Sequence, residues 1–234
     1  MKVLSIAAKW LFMLCLPTLL LTASLGWAVN SLWLYQYGFE KYNVSQTLAN
    51  SGLKLTDSEL ENIYAGLISY FNSHDEYISI TVAKDGKPFN LFTPEETIHF
   101  RDVKGLIRLD YWVLLGTSVY ALAYAGVCLF WRKRRYWRYL AWGLVGGGSL
   151  TLALILLVFG LGTLLGFSQL LYWFHLVFFT NPYWSAEGYM LLLFPEDFLR
   201  DAALFCALII AGLAIILGGV GGGYLILAKN RIKT

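Results

Sequence analysis

The chain lacks the short catalytic motifs that identify several large enzyme classes. It has no His-Glu-x-x-His, no Cys-x-x-Cys, no Gly-x-Ser-x-Gly and no Walker-type phosphate loop. A zincin, a serine-elbow hydrolase and a nucleotide-driven pump therefore lack their defining residues. Because the three histidines and scattered acids show no ligand spacing within one short motif, we expect no metal and no cofactor. The three cysteines all lie in uncharged stretches and indicate no disulfide framework: Cys15, Cys128 and Cys206.

Charge is also scarce. Only 14% of the 234 residues are charged, whereas 58% are hydrophobic and 17% are aromatic. This composition is too apolar for an ordinary soluble domain and is typical of a small polytopic membrane protein. Four uncharged stretches reach the roughly 20 residues that a helix needs to cross a bilayer. They cover residues 10–35, 111–131, 139–166 and 202–228.

Acidic residues are missing from one side of the predicted membrane topology. The N-terminus, the central loop and the tail together hold ten Lys and Arg residues, while all 15 Asp and Glu lie in the two segments facing the other way. The positive-inside rule therefore predicts cytoplasmic termini. The basic run at 132–135 is interpreted as a topology anchor, and we expect no nucleic-acid or nucleotide partner.

We accordingly expect an α-helical polytopic membrane protein with four transmembrane helices, an extracytoplasmic α+β cap and a second, interfacial helical loop. The first apolar stretch is longer than a signal-peptide core and is interpreted as a retained span. The predicted segments are 1–35 with the first span, the cap 36–108, the second span 109–131, the basic loop 132–138, the third span 139–166, the interfacial or re-entrant aromatic loop 167–200, and 201–234 with the fourth span and tail.

The cap has signals for one helix and one hairpin. Thr56 and Glu59 form a capping-box pattern, and apolar residues then recur at helical spacing up to Phe71. Residues 77–83 are β-branched and aromatic, Asp85-Gly86 is a two-residue turn signal, and residues 87–92 would form the return strand.

A second helix of the cap carries the first candidate site residue. Thr93-Pro94-Glu95-Glu96 is an N-terminal helix signal, and the helix runs toward the second span. His99 and Asp102 are three residues apart on it, so we expect the carboxylate to accept a ring N–H and orient the imidazole as a general base. A surface histidine with a neighbouring acid would give the same spacing.

The second candidate site residue, His175, lies in an aromatic segment. No formal charge appears from Tyr139 until Glu187, and Asn181-Pro182 is a helix-ending signal. Phe194-Pro195-Glu196-Asp197 then opens the last span. The aromatic residues are typical of an interfacial belt, so His175 is either an interfacial side chain or a catalytic one.

The whole chain resembles the lipoprotein intramolecular transacylases of Gram-positive bacteria. The resemblance rests on several motifs: Leu60-x-x-Ile63, Gly66-Leu67-Ile68-x-Tyr70-Phe71, Leu91-Phe92, His99-x-x-Asp102-Val103-Lys104, Phe174-His175-x-x-Phe178-Phe179-x-Asn181-x-x-Trp184 and Phe194-Pro195-Glu196-x-Phe198-x-x-Asp201. The chain departs from the family pattern at Ser185-Ala186-Glu187-Gly188, where an aspartate-rich stretch is expected, and at Leu199.

This resemblance implies an acyltransferase of the bacterial cytoplasmic membrane. Its substrate would be a diacylated lipoprotein, and membrane phospholipid would surround it. The enzyme would move the second-position acyl chain of the S-diacylglyceryl group to the α-amino group of the N-terminal cysteine, giving the N-acyl, S-monoacylglyceryl form. The active site would face the extracytoplasmic leaflet.

The hypothesis assigns His99 as general base, steadied by Asp102, and His175 as the second acid/base group, although the two roles could be reversed. Candidates to stabilise the oxyanion or position the substrate are Arg101, Asn181, Trp184 and Asp201. From the start of the last span, Asp201 could also orient His175. Two alternatives from other classes stay open: a non-catalytic membrane scaffold or receptor, and a metal-dependent membrane lipid hydrolase.

Overall fold

The structure is a computed structural model that describes residues 2–130 and 134–230. Within these ranges it is mostly helical. The elements in chain order are α1 Lys2–Asn30, α2 Leu32–Lys41, α3 Val44–Asn50, α4 Asp57–Asn72, β1 Thr81–Lys84, β2 Lys87–Asn90, α5 Pro94–Phe130, α6 Arg134–Leu165, α7 Phe167–Phe178, a 3₁₀ turn Tyr183–Ser185, α8 Tyr189–Leu193 and α9 Glu196–Asn230.

Four of the described helices are long and apolar enough to cross a membrane: Ile6–Asn30, Pro94–Phe130, Tyr136–Leu165 and Glu196–Asn230. The predicted class, an α-helical polytopic membrane protein with a small two-stranded sheet, is therefore confirmed. The chain divides into two compact units. Unit 1 comprises Met1–Gly26, Asp110–Leu164 and Phe205–Thr234, and unit 2 comprises Trp27–Leu109 and Leu165–Leu204.

Helix α5 is longer than a membrane crossing needs. Its 37 residues extend about 55 Å, against a hydrocarbon core of about 30 Å. The charged side chains of α5 all lie before residue 111, and residues 111–130 are uncharged. The spanning part is therefore this second half. His99 lies more than three turns earlier, outside the spanning part.

Unit 1 is held together by close helix contacts. Leu16 and Leu20 of α1 form a buried cluster with Ile210 and Ala214 of α9. A Cβ at Gly148 of α6 would lie 2.8 Å from the Ala214 carbonyl, so this glycine allows α6 and α9 to approach closely. Many other apolar side chains of the spans are exposed, as lipid-facing surfaces require.

Unit 2 contains the predicted helix and hairpin. The Thr56 side chain accepts from the Glu59 backbone while the Glu59 carboxylate accepts from Thr56, which confirms the capping box of α4. The hairpin is also confirmed, with Asp85 at φ 52° and Gly86 at φ 73° in a turn of the I′ kind. Both strands are shorter than predicted, since β1 covers only Thr81–Lys84 and β2 only Lys87–Asn90.

Some helices are not predicted from the sequence. α2, α3 and α8 lack strong periodicity over their ten residues or fewer, and α1 is separated from α2 at Ser31. Residues 134–138 of the predicted basic loop form the first turns of α6, because the run contains no Pro or Gly and arginine favours helix. The remainder of that loop, residues 132 and 133, lies outside the described residues.

Candidate active site

Helices α5 and α7 bring two histidines of unit 2 together. The ring centroids of His99 and His175 are 6.0 Å apart with an interplanar angle of 35°. The two residues are far apart in the sequence and lie on different helices, so their proximity is a product of the fold. At this separation a single ester and a neighbouring amine can reach both rings.

His99 is enclosed by protein. Only 6% of its surface is exposed, and among the described residues its Nδ1 atom is buried without a hydrogen-bond partner. Burial lowers the pKa of His99 to about 4; nearby His175 acts in the same direction, and Asp102 opposes the shift. The imidazole is thus neutral at physiological pH. Buried side-chain nitrogens usually have a hydrogen-bond partner, so this atom is a candidate to bind a ligand.

His175 is half-buried and has a fixed ring orientation. Its Nδ1 lies 2.7 Å from the backbone carbonyl of Leu171, one turn earlier in α7. A carbonyl oxygen can only accept, so Nδ1 of the neutral ring carries the proton and Nε2 has the free lone pair. Burial lowers the pKa of His175, although the bond to Leu171 acts in the opposite direction. The neutral ring is therefore a base with its accepting nitrogen defined.

Aromatic rings enclose both imidazoles. Phe179 lies 4.8 Å from the His99 ring and 5.4 Å from the His175 ring, centroid to centroid, and Trp184 stacks on His175 at 4.7 Å. Phe174 approaches the edge of His175 at 5.6 Å. Rings in these positions remove water from the imidazoles, which is the physical cause of their lowered pKa values.

The partner predicted for His99 is bound elsewhere. Asp102 Oδ2 accepts a hydrogen bond from the Asn181 amide at 2.8 Å, and Oδ1 lies 3.5 Å from the Arg101 guanidinium. The prediction that Asp102 accepts a ring N–H of His99 is therefore wrong in this structure. The reason is geometric: the His99 ring points into the buried interior, whereas the shorter Asp102 side chain stays near the surface, 25% exposed.

Asn181 links Asp102 to the segment that follows α7. Its amide nitrogen donates to Asp102, and its side-chain oxygen accepts from the Tyr183 backbone at 3.1 Å. This second bond orders the turn that leads into Trp184. Asp102, Asn181 and Trp184 thus connect α5, the turn and the His175 ring, and these predicted site residues do come together.

Two other predicted residues have different partners. Arg101 donates to the Tyr77 hydroxyl at 3.0 Å and lies 3.9 Å from Glu76. Asp201 accepts from Tyr37, Lys41 and Tyr42 at 3.0, 2.5 and 2.8 Å. The suggestion that Asp201 orients His175 is therefore wrong, because the carboxylate is satisfied by three side chains from α2 and its C-terminal end, while His175 Nδ1 is satisfied by its own helix.

The sequence also hides two residues that shape the site. Phe179 is interpreted from sequence only as one member of an aromatic belt, although its i, i+4 spacing from His175 could have indicated the stacking. Glu96 is interpreted from sequence only as part of a helix N-terminal signal, yet it is fully buried. No sequence signal distinguishes a buried Glu in a capping box from an exposed one. Within the described ranges, no group of three or more His, Cys, Asp or Glu residues is arranged to hold a metal ion.

Comparisons with known proteins agree with this architecture. The structure of the membrane integral lipoprotein intramolecular transacylase Lit from Bacillus cereus matches with a TM-score of 0.79 and 20% sequence identity, covering 100% of both chains. Two structures of the same B. cereus protein with a single histidine substitution, to arginine and to alanine, match at 20% identity with TM-scores of 0.73 and 0.72. They cover 100% and 98% of this chain and 96% and 97% of theirs.

The family comparison extends over most of the sequence. A search of curated proteins found no match. The family model described as lipoprotein intramolecular transacylase Lit matches residues 10–199, which include both histidines and the segment that packs on them. The chain therefore belongs to the Lit family of lipoprotein intramolecular transacylases, as a multi-pass membrane acyltransferase that acts on lipoproteins.

Proposed function

We propose that this enzyme moves the acyl chain at the second glyceryl position of a diacylated lipoprotein to the α-amino group of its N-terminal cysteine, and that His99 and His175 perform the proton transfers. The observation that carries the proposal is the approach of two neutral imidazoles to 6.0 Å inside an aromatic enclosure. Family membership supplies the substrate class.

His175 is the better candidate for the general base. Its Nδ1–H donates to the Leu171 carbonyl, so Nε2 accepts the proton and the resulting imidazolium keeps a stabilising partner. This reverses the assignment that the sequence favoured, because the oriented ring is on α7 and not on α5. Nothing comparable orients His99, whose Nδ1 is unpaired among the described residues.

His99 is then the electrophilic group. Because burial lowers its pKa to about 4, it enters the reaction as a neutral imidazole. A neutral ring N–H can polarise the ester carbonyl and stabilise the oxyanion as negative charge develops there. The buried environment strengthens such a hydrogen bond, because little water competes for it.

Starting from the neutral amine, the acyl transfer moves one proton from the amine to the glyceryl oxygen of the same substrate molecule. The amine nitrogen forms a bond to the ester carbon and passes its proton to His175, and the intermediate then collapses as the carbon–oxygen bond to the glyceryl group breaks. His175 returns the proton to the departing glyceryl oxygen. Since amine and ester belong to one molecule, intramolecular placement can contribute about 7–11 kcal/mol. Forming an amide from an ester is downhill, so the reaction needs no ATP or cofactor.

Asp102 can bind the substrate amine before this step. An α-amino group has a pKa of about 8, so it arrives largely as an ammonium at neutral pH. Asp102 provides a negative charge near enough to His99 to oppose the lowering of its pKa, and Asn181 and Arg101 fix its position. The ammonium loses one proton to solvent before it attacks. Asn181 thereby positions Asp102, and Trp184 positions His175.

The proposal places the protein in the bacterial cytoplasmic membrane with both termini in the cytoplasm. The basic termini and basic central segment support this orientation through the positive-inside rule. Unit 2 would then face the extracytoplasmic leaflet. Diacylated lipoproteins carry their glyceryl group at that surface, surrounded by membrane phospholipid.

The test compares three histidine variants expressed in a strain that lacks its own transacylase. The variants are His99→Ala, His175→Ala and, as matched control, His74→Ala, which changes an exposed histidine of the same unit. Mass spectrometry of lipoprotein N-terminal peptides should give the N-acyl lyso form for the wild type and the control, and at least a 100-fold loss for the other two.

Three outcomes would contradict the proposal. Normal product from His99→Ala or His175→Ala, at equal protein level, would remove that histidine from the mechanism. Absence of N-acyl product even from the wild type would favour a non-catalytic scaffold. Release of free fatty acid that chelators abolish would favour a metal-dependent hydrolase.

A further inference from the structure

Glu96, which the mechanism does not use, is a completely buried carboxylate at the start of α5. Its exposed fraction is 0%. One oxygen, Oε2, accepts from the Thr93 backbone N–H at 2.8 Å and completes the helix cap. The other, Oε1, accepts from the Met190 backbone N–H at 2.6 Å. The first bond lies within one helix terminus, whereas the second joins α5 to α8.

Gly188 contacts the same carboxylate. A Cβ at this position would overlap both carboxylate oxygens of Glu96. The backbone of Gly188 is extended, with φ −179° and ψ −163°, so the residue is not required for its conformation. It is required for space, because the buried carboxylate lies where a side chain would begin.

These contacts hold one end of the segment that covers His175. The segment leaves α7 at Phe179, contains Asn181 and Trp184, and reaches Gly188 four residues after Trp184. Asn181 is tied to Asp102 of α5, and Glu96 ties the far end to the first turn of α5. His99 lies between these two points on the same helix, three residues after Glu96 and three before Asp102.

We propose that Glu96 and Gly188 form a clamp that positions Trp184 and Asn181 over the two histidines. Glu96 is a positioning residue in this proposal, because it contacts neither of the two imidazole rings. The inference rests on the proposed function. Both carboxylate oxygens accept backbone N–H groups, so an amide cannot replace the carboxylate fully. Its NH₂ group would face one of the two donors.

The experiment measures initial rates of purified enzyme on a synthetic diacylglyceryl lipopeptide in detergent micelles. The variants are Glu96→Ala, Glu96→Gln, Gly188→Ala and the Glu96→Ala/Gly188→Ala double. Two matched controls are Glu95→Ala, an exposed neighbour, and Gly105→Ala, a glycine of α5 with no neighbouring atom within 4 Å of an added Cβ. Thermal unfolding of each variant establishes the folded fraction.

The clamp predicts a loss in kcat of tenfold or more for Glu96→Ala and Gly188→Ala per folded enzyme, with KM within about twofold. KM should hold because the acyl chains and peptide still bind and Arg101 still holds Asp102, while the imidazoles lose their positioning contacts. The double variant should be no slower than Glu96→Ala, since removing the carboxylate makes space for the new methyl group. Both controls should match the wild type.

A wild-type kcat in folded Glu96→Ala would overturn the clamp. So would a double variant whose fold loss in kcat equals the product of the losses of the two single variants. If Glu96→Ala does not fold, Glu96→Gln and Gly188→Ala still decide the question, because each retains an oxygen acceptor at position 96. A wild-type enzyme that forms no N-acyl product would instead refute the proposed function. Product from the wild type with unaffected clamp variants would refute the clamp alone.

Discussion

Trp184 is the contact through which the segment after α7 acts on His175. The two rings are stacked, with centroids 4.7 Å apart and an interplanar angle of 28°. Replacing Trp184 with alanine removes this ring and lets water reach the imidazole. The pKa of His175, which burial lowers, should therefore rise toward its ordinary value.

The expected effect on the rate follows from the energy of one aromatic contact. Such pairs contribute about 0.5–1.5 kcal/mol beyond area burial, so losing the orientation of the ring should slow the reaction roughly 2- to 13-fold. Trp184→Phe preserves a stacked ring and should retain most of the activity. The assay is lipopeptide conversion by purified enzyme, combined with an NMR titration that resolves the three histidines.

The matched control is Trp173→Ala, which removes an exposed tryptophan of α7. It should leave both the rate and the His175 titration unchanged. The reasoning is refuted if Trp184→Ala reacts at the wild-type rate and His175 titrates as before. A slow Trp184→Ala enzyme with an unaltered His175 pKa would limit the role of the ring to orientation.

Two further predictions concern stability. The pKa of His99 is about 4 in the folded protein and about 6.5 in the unfolded chain, so the unfolded chain binds the proton more readily. The stability associated with the neutral, buried ring is therefore complete above pH 6.5 and is lost as the pH falls toward 4. The free energy of unfolding should fall by about 2 kcal/mol more between pH 7 and pH 5 in the wild type than in His99→Gln, and equal slopes would contradict this. Asp201→Asn should cost about 1–3 kcal/mol of stability, since the carboxylate accepts from three side chains, yet leave kcat per folded enzyme unchanged. The exposed Asp197→Asn is its control in the same unfolding measurement, and a selective loss of kcat in Asp201→Asn would restore a catalytic role.

The fold was largely predictable because its signals are local. Long uncharged runs specify spanning helices, the Thr56–Glu59 pair specifies a cap, and Asp85-Gly86 specifies a hairpin turn. Each signal needs only a few neighbouring residues. Short helices such as α3 and α8 depend on packing against the rest of unit 2, so their sequences carry little information.

The residues of the candidate site were largely predictable from the sequence, whereas their hydrogen-bond partners were not. His99 and His175 stand out because ionisable residues are rare beside apolar spans. Helical spacing suggested that Asp102 orients His99, but the partner of Asp102 is Asn181, which is 79 positions away. Such a pairing depends on the turn after α7, which local sequence does not determine. The burial of Glu96 is hidden for the same reason.

The central claim is that both reacting groups belong to one substrate molecule held between two imidazoles. It is tested by mixing two lipopeptides of different peptide mass, one of which carries a deuterated acyl chain at the second glyceryl position, and incubating them with purified enzyme. The account predicts that mass spectrometry finds every deuterated N-acyl group on the peptide that brought it, and that His175→Ala yields none. Deuterated acyl groups on the other peptide, or in free fatty acid, would contradict it.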